Sequence, residues 1–463
     1  MRRVRREEID MVVNDQMVQK LRADFSGVVL APQDTEYDEI RRVHNGLIDK
    51  RPRLIARCTT TADVTAALAV ARAGGLEVSV RGAGHNVSGK AVTDGGLMID
   101  LSLMRDVVVD SDEPSVTAGG GVTWGELNAA AHKHGLATTG GIVSATGVGG
   151  LTLGGGLGWT MGAYGLAVDN LLAAEVVLAS GEVVLTDAEQ HPDLFWAIRG
   201  GGGNFGVVTS FRFRAYPLST VLGGAVIHPL SAAREALAFF RDASASLPDE
   251  LTVFAGLRDA PDGSGAKLCG ISICHISTDE TRAEMETQAI REFGPPIMDV
   301  VDRMPYPEVN TAIDDAFPRG SFNYWKSAFL TDLSDEAIDK LVTAFEATPT
   351  SDCFLVLEHF HGAATRVDPT ATAFPHRAPG FNLLIIAQWT VPEDTMACTA
   401  WARDTFDSLR SHTASGGYVN YLDADDETRI AAAYGPNYPR LQAVKRVYDP
   451  DNIFRLNQNI VPA

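Results

Sequence analysis

A histidine inside a glycine-rich run is the first candidate for chemistry. The stretch "SVRGAGHNVSGKAVTDGGLMIDLSLM", from Ser79 to Met104, holds His85 between two segments that read as strands. Glycines let a backbone approach a bulky polar ligand closely, and a neutral imidazole is a nucleophile near neutral pH. The pattern alone leaves two roles open for His85, a residue that caps the loop or one that reacts.

Two further glycine clusters follow that run. One is "GGIVSATGVGGLTLGGGLGW", residues 140–159, and the other is "RGGGGNFG", residues 199–206. Because backbone amides in such loops form anion-binding nests, we expect one large ligand with a pyrophosphate across several loops. Gly201, Gly203 and Gly206 match G-x-G-x-x-G, but a predicted helix precedes them and a strand follows. This order excludes the dinucleotide-binding fingerprint, which needs a strand before the glycines and a helix after them.

A carboxylate on an apolar strand is the best candidate for a general base. In "CFLVLEHFHG", alternation places Glu358 on one face with Val356 and Phe360. Desolvation on an apolar face raises the pKa of a carboxyl group, which suits a base near neutral pH. The alternative is a strand-edge glutamate paired with Arg366 or Arg377.

The segment "YVNY" supplies a second polar set. If it is a strand, Tyr418 and Asn420 point to one side and Tyr421 to the other. A tyrosine with its ordinary pKa of about 10 acts as a base only if that pKa falls by roughly two units. Core packing and function therefore stay equally open for these tyrosines. Trp325, in "SFNYWKSAFL", is either pocket lining or ordinary core.

Metal chemistry has weak support in the sequence. His359 and His361 lie on one face of a predicted strand, but no third ligand is indicated, which favours surface or pocket histidines. The five cysteines are scattered, without a C-x-x-C pair. This usage predicts neither a disulfide framework nor a zinc site, and it is typical of a reducing compartment.

Composition narrows the class of protein. A chain of 463 residues exceeds the usual span of one core, so two domains are expected. The net charge of −20 at pH 7 argues against a nucleic-acid partner. The start "MRRVRREEIDMVVNDQ" has two Arg-Arg pairs but acidic residues in place of an apolar export segment. With no apolar run long enough for a bilayer, we predict a cytoplasmic protein without membrane contact.

The elements that position these residues form an α+β pattern. "TTADVTAALAVARAGG" predicts a capped helix, and Thr123 and Glu126 predict a capping box at the start of another. "AEVVLASGEVVLTD" predicts a hairpin that turns at 180–181. After Pro217 the glycines thin out, and residues 218–415 predict an antiparallel sheet covered by helices.

Several of these motifs together carry a family resemblance. "VRGAGHNVSG", "GVGGLTLGGGLGW", "YGLAVDN", "LFWAIRGGGGNFGVVT" and "YGPNYPRLQAVKRVYDPDNIFRLNQNI" occur in order. The chain resembles the FAD-linked oxidases of the vanillyl-alcohol oxidase superfamily, in the berberine-bridge-enzyme-like branch that includes bacterial 6-hydroxynicotine oxidases and polyketide-tailoring flavoenzymes. The resemblance implies a two-domain PCMH-type FAD-binding fold with an inserted substrate domain. The expected parts are an extension (1–40), the FAD-binding domain (41–217), the substrate domain (218–415) and a returning segment (416–463).

The resemblance also implies roles for individual residues. His85 stands where the family attaches FAD covalently to the flavin 8α-methyl carbon. Val143 occupies the position of a second-link cysteine, so a single attachment is expected. Thr146 stands beside the flavin, where it controls access of oxygen. It is expected to be catalytic, as are Glu358, Tyr418 and Tyr421. The implied cofactor-binding residues are His85, Arg81, Gly82, Gly84, Asn86, Ser88, Gly89, Thr146, Gly147, Gly150, Gly154, Gly156, Gly158, Asn170, Val208, Tyr418, Asn420, Asn457 and Asn459.

The predicted function is that of an FAD-dependent oxidase. It removes a hydride from an activated C–H bond of a small aromatic or secondary-metabolite alcohol or amine, and O2 reoxidises it to give H2O2. The first alternative is a monooxygenase that uses an oxygenated flavin in polyketide-type tailoring, or a dehydrogenase with another electron acceptor. The second alternative is a non-catalytic flavin-binding protein. A monomer or a homodimer is expected.

Overall fold

The structure, a computed structural model, describes residues 15–463. The two N-terminal Arg-Arg pairs, and with them the question of an export signal, lie outside the described residues. The first sheet has four strands in the order β1-β2-β4-β3. The strands are β1 (Val28–Leu30), β2 (Leu54–Arg57), β3 (Val78–Arg81) and β4 (Leu97–Asp100). β4 runs parallel to both β2 and β3, whereas β1 is antiparallel to β2.

A second, antiparallel sheet follows. Its region contains β5 (Val107–Asp110), β6 (Ser115–Gly119), β7 (Leu136–Ala137), β8 (Leu171–Val177), β9 (Val183–Asp187), β10 (Val207–Arg214) and β11 (Tyr216–Pro217). The sheet order is β5-β6-β10-β8-β9, and β7 pairs separately with β11. The predicted hairpin is β8–β9, with Gly181 at a φ of 91° in its turn. A helix precedes the G-x-G-x-x-G match and β10 follows it, so the match is no dinucleotide fingerprint.

The third sheet has eight antiparallel strands. They are β12 (Thr220–Pro229), β13 (Leu251–Asp259), β14 (Lys267–His275), β15 (Met298–Asp299), β16 (Asp302–Pro305), β17 (Phe322–Leu330), β18 (Phe354–Phe360) and β19 (Gly380–Trp389). The order is β15-β12-β14-β13-β18-β19-β17, with β16 also paired to β12. Alternation sends Leu257, Leu355 and Ile385 into a core beneath helices on one face. The opposite face carries Gly256 and Glu358.

Helices connect and cover the sheets. In the first half they are Asp15–Asp24, Tyr37–Ile40, Thr61–Ala73, Trp124–His132, Val148–Leu153, Met161–Tyr164, Ala167–Asn170 and Pro192–Ile198. In the second half they are Ala233–Ser244, Glu280–Glu292, Tyr306–Val309, Asp335–Glu346, Ala363–Arg366, Thr395–Ser408, Ile430–Tyr434 and Tyr438–Tyr448. Both predicted N-terminal caps form, with reciprocal capping boxes at Thr60 and Thr123. Across residues 15–463 we find no helix with the length and apolar character that a bilayer crossing requires.

The C-terminal segment returns to the glycine-rich loops of the first half. Lys445 anchors it: its Nζ, fully buried, donates to the carbonyl of Asn204 (2.6 Å), the carbonyl of Phe454 (2.9 Å) and Oδ2 of Asp449 (2.6 Å). Asp449 in turn accepts from the backbone N–H groups of Ile453 and Phe454. All three protons of the ammonium group are thus satisfied, which is what a buried charge requires.

Lys445→Met is expected to lower the free energy of unfolding by about 3–5 kcal/mol, because it leaves the Asp449 carboxylate buried and unpaired. Urea denaturation followed by circular dichroism measures the change. The control is Arg446→Met, which removes a neighbouring exposed charge from the same helix and should have little effect. Equal stabilities of the two variants would contradict the proposed anchor.

Candidate active site

A cavity of about 690 Å³ lies between the glycine-rich loops and the open face of the third sheet. This volume is in the upper part of the range of about 300–1,000 Å³ that is usual for small-molecule and cofactor pockets. Its floor is formed by small residues of the third sheet, including Gly224, Gly256 and Gly270. Aromatic side chains line it as well, among them Trp325 and Phe354.

His85 lines this cavity as a neutral imidazole. Its ring stacks on that of His44, with 4.0 Å between the centroids. Burial, with a smaller contribution from His44, lowers the pKa of His85 to about 3. Its Nε2 atom is shielded from solvent and has no hydrogen-bond partner among the described residues. Neutral imidazole is the nucleophilic form, so His85 has the protonation state and the open nitrogen that a reactive histidine needs.

The glycine loops fit a large cofactor. A Cβ at Gly150 or Gly203 would meet no atom of residues 15–463 within 4 Å, and both glycines line the cavity. Gly150 lies in the first turn of the helix Val148–Leu153, where backbone N–H groups have no helical partner. Bare backbone donors beside an unpartnered imidazole match the needs of FAD, which brings a pyrophosphate and a large flat ring.

Glu358 is buried in the cavity wall, with 2% of its surface exposed. Asn382 donates to its Oε2 (2.7 Å), and Tyr421 donates to its Oε1 (2.9 Å). Burial raises the pKa of Glu358 to about 7, and the two donated hydrogen bonds limit the rise. The alternative of an arginine pair is wrong, since Arg366 pairs with Asp249 and Arg377 with Asp169. A carboxyl group of this kind can accept a proton near neutral pH.

The strand expected for "YVNY" is absent, and the prediction that Tyr418 and Tyr421 diverge is wrong. Val419–Tyr421 form a 3₁₀ turn, in which residues three apart eclipse each other. The two rings therefore meet, with centroids 4.8 Å apart at 83°. Burial raises the pKa of both tyrosines above the ordinary value. Both hydroxyls thus stay protonated at neutral pH, which argues against a tyrosine base and suits hydrogen bonding.

Most of the expected residues converge on the cavity. Its lining includes, from the predicted set, His85, Gly82, Gly84, Asn86, Thr146, Gly147, Gly150, Val208, Glu358, Tyr418, Asn420, Tyr421 and Asn457, together with Val143. These residues come from two of the three glycine-rich clusters, from β10 and β18, and from the C-terminal segment. The cavity is therefore the meeting point of segments more than 300 residues apart in the chain.

The polar members of the remaining expected set do not line the cavity, and their contact with the cofactor stays a prediction. Arg81 is paired with Asp100, and the Ser88 hydroxyl donates to Asn86. The Asn170 side chain donates to two backbone carbonyls. Asn459 lies outside the lining, although its Oδ1 is buried and unpartnered.

Four expected glycines also lie outside the lining of the cavity. They pack closely against other parts of the protein, where a side chain would not fit. A Cβ at Gly154 would overlap Asn420, and one at Gly158 would overlap the carbonyl of residue 140. The N–H of Gly156 donates to the Tyr418 hydroxyl (2.8 Å). Gly89, at a φ of +68°, packs against an isoleucine. These residues shape the loops around the cavity.

His359 and His361 lie in a different environment from the one expected. Both are buried, their rings stack with centroids 4.5 Å apart, and neither lines the cavity. The expectation of surface or pocket histidines is therefore wrong. Among residues 15–463 there is no group of three or more His, Cys, Asp or Glu side chains arranged to hold a metal ion.

Sequence reasoning missed several residues of the site. His44 stacks on His85, and Asn382 donates a hydrogen bond to Glu358. Arg258 lines the cavity. None of the three was among the predicted site residues. For Asn382 a signal existed, since it and Gln388 are the two polar amides in the otherwise apolar run "FNLLIIAQW", on the strand next to that of Glu358. No local pattern marks the other two.

Comparison with known proteins supports this geometry. A family model described as "FAD binding domain" matches residues 52–187, and one described as "Berberine and berberine like" matches residues 417–461. The chain is 34% identical over 454 residues to the (R)-6-hydroxynicotine oxidase of Paenarthrobacter nicotinovorans, with 95% of this chain and 97% of that relative covered. It is 30% identical over 432 residues to the FAD-linked oxidoreductase aurO of Gibberella zeae, with 92% of this chain and 84% of that relative covered.

Solved structures have the same architecture. The crystal structure of 6-hydroxy-D-nicotine oxidase from Arthrobacter nicotinovorans matches with a TM-score of 0.86 at 31% identity, covering 95% of this chain and 98% of that one. Berberine bridge enzyme from Eschscholzia californica matches with a TM-score of 0.87 at 21% identity, covering 96% and 99%. At that lower identity the second likeness concerns the fold alone. The fold is thus the α+β, PCMH-type FAD-binding fold with an antiparallel substrate sheet.

Proposed function

The chain belongs to the berberine-bridge-enzyme-like FAD-linked oxidoreductases, and from this premise we propose that it is an oxidase of small aromatic or alicyclic alcohols or amines. Membership makes it an FAD-dependent oxidoreductase. The proposal adds the substrate class, O2 as the electron acceptor and H2O2 as the product. Secondary metabolites such as polyketides fall within the same substrate class.

One observation carries the proposal: Glu358 and His85 line the same cavity. A base is needed where a substrate gives up both a hydride and a proton. A non-catalytic flavin-binding protein has no use for a carboxyl group whose pKa burial raises to about 7. The burial of Glu358 in the cavity wall therefore favours the enzyme over the silent binding protein.

His85 and the loops 82–89 and 147–158 would hold the cofactor. We propose a single covalent bond from the His85 imidazole, since Val143, at the position of the second link, has no thiol and lines the cavity. Backbone N–H groups of the second loop would bind the pyrophosphate. When bound, FAD supplies the acceptor of the hydride and passes the electrons to O2. Thr146, which also lines the cavity, would border the path of oxygen.

Glu358 would take the proton from the substrate hydroxyl or amine. Tyr421 and Asn382 hold both of its oxygens in place, so the carboxylate does not have to reorient during the reaction. Trp325 packs edge-on against Tyr421, with 6.0 Å between the centroids, and gives an aromatic substrate a surface to pack against. The roles of Glu358 and Tyr421 thus differ, as a base and its positioning partner.

Tyr421→Phe is expected to shift the pH dependence of kcat/KM. Glu358 acts as a base only when ionised, so activity rises with pH through its pKa of about 7. Because the Tyr421 hydroxyl stabilises the ionised form, its loss moves the half-maximal point upward by about one pH unit. Tyr438→Phe, which alters a tyrosine outside the cavity, is the matched control. A half-maximal point that stays in place or falls would contradict this role.

The proposed function is tested by anaerobic mixing of the yellow protein with a panel of aromatic and alicyclic alcohols and amines, 6-hydroxynicotine among them. We expect loss of the flavin absorbance with part of the panel, and one equivalent of H2O2 per product once air is admitted. Oxygen incorporated into the product with little H2O2 would favour the monooxygenase instead. A flavin that no compound bleaches would favour the non-catalytic alternative.

The cellular setting stays a prediction. All five cysteines are free and buried, and their scattered spacing is the reason for proposing a reducing, cytoplasmic location. Monomer and homodimer remain the two proposed assembly states.

A further inference from the structure

An arginine side chain in the cavity wall has no partner in the part of the chain that the structure describes. Within the described residues, the charged side chains that line the cavity are Lys90, Arg258 and Glu358. Lys90 donates to the carbonyl of Asn457 (2.7 Å) and to Oε1 of Gln458 (2.9 Å), and Glu358 accepts two hydrogen bonds. Among residues 15–463, the guanidinium group of Arg258 has no hydrogen-bond partner and no ion-pair partner. A partly buried, unpaired charge is costly, which calls for an explanation.

The surroundings of Arg258 are apolar. It lies on β13, on the same face as Gly256 and Phe254, and pairs in register with Leu268 of β14. Met298 also lines this end of the cavity. Burial lowers the pKa of Arg258, with no contribution from a charged neighbour. A guanidinium group nevertheless stays charged in proteins, so Arg258 is an unpaired cation in the cavity wall.

We propose that Arg258 binds a carboxylate on the substrate and thereby selects acidic aromatic compounds. This inference rests on the proposed function for its substrate, since the same cavity holds Glu358. The planar guanidinium fork matches a carboxylate in two parallel hydrogen bonds. A phosphate fits less well, because a dianion needs several donors and this end of the cavity offers one cation. The net charge of −20 also disfavours polyanions.

The geometry sets the spacing within the substrate. Phe254 pairs in register with Glu358, and Arg258 lies four residues further along the same strand. Four residues of strand span roughly 13 Å, and part of that span is taken up by the two side chains. The carboxylate is therefore separated from the oxidised carbon by about an aromatic ring and a short chain. Phe354, near Arg258, and Trp325, near Tyr421, line the space between.

The test compares two probes of equal shape, 4-phenylbutanoate and 4-phenylbutanamide, by titration calorimetry on the purified holoenzyme. Wild-type protein should bind the carboxylate at least tenfold more tightly than the amide. Arg258→Met should weaken binding of the carboxylate by about 10- to 100-fold and leave binding of the amide unchanged. Arg258→Lys should keep part of the preference, because it retains the charge but loses the planar fork.

Arg234→Met is the matched control, since Arg234 lies on an outer helix, paired with Asp339, away from the cavity. It should bind both probes as the wild type does. Three results would overturn the inference. The wild type could bind the two probes with equal affinity, or Arg258→Met could weaken the binding of both probes equally. The third is that carboxylate binding stays undetectable at millimolar concentration. Calorimetry needs no turnover, so these results are independent of flavin bleaching. If the protein prefers the carboxylate probe but no compound bleaches its flavin, the proposed function is refuted and the inference about Arg258 is not.

Discussion

Glu358→Gln is expected to lower the rate of anaerobic flavin reduction by about 10²- to 10⁴-fold, the usual contribution of a general base. Glutamine has the shape of glutamate but cannot accept the proton at neutral pH. Its amide can keep the hydrogen bond from Tyr421. Substrate binding should change little, so the loss is expected in the rate at saturating substrate and not in the concentration needed for saturation.

The same substitution separates chemistry from folding. Because burial already penalises the charged form of Glu358, a neutral amide should leave the free energy of unfolding unchanged or slightly higher above pH 7. Glu346→Gln, at an exposed position, is the control for charge removal and should keep full activity. A Glu358→Gln protein that reduces its flavin within a few-fold of the wild-type rate would exclude Glu358 as the base.

His85→Ala is expected to abolish covalent attachment of the flavin. Acid precipitation of wild-type protein should leave the yellow colour in the pellet, whereas the variant should release it into the supernatant. The physical reason is that the substitution removes the nucleophilic nitrogen at the cavity wall, and a methyl group cannot replace it. Proteolysis of the wild type should then give one flavin-carrying peptide, the one that contains residue 85.

This prediction has one control variant, at a distant histidine, and one check on the loop that contains Val143. His134→Ala removes an exposed histidine and should leave the colour in the pellet. Colour that stays in the pellet of His85→Ala, or a second flavin-carrying peptide that contains Val143, would refute single attachment at His85. A colourless wild-type protein would refute the covalent bond altogether.

Local features of the fold were predictable from the sequence. The caps at Thr60 and Thr123 and the hairpin through Gly181 formed as expected. Each of these features depends on hydrogen bonds and φ angles within a few residues. The face of Glu358 followed from strand alternation for the same reason.

The errors occurred where a local pattern was ambiguous. "YVNY" alternates like a strand, yet it forms a 3₁₀ turn at the point where the C-terminal segment packs on the loop of Gly156. The pair His359 and His361 read as accessible, but packing buries both. Whether a short polar-aromatic segment pairs as a strand or turns depends on what it contacts, and those contacts are distant in sequence.

The sequence by itself determined the local elements, the three glycine clusters and the likeness to flavin oxidases. The tertiary structure alone decided which side chains meet, Asn382 and Tyr421 at Glu358 and His44 at His85. It also decided that Arg258 lies in the cavity wall with no partner among the described residues. The physical reason is the distance along the chain over which the stabilising contacts act. Helix caps and turns are stabilised by neighbours a few residues away, whereas these contacts follow from strand register and from the packing of segments far apart in the chain.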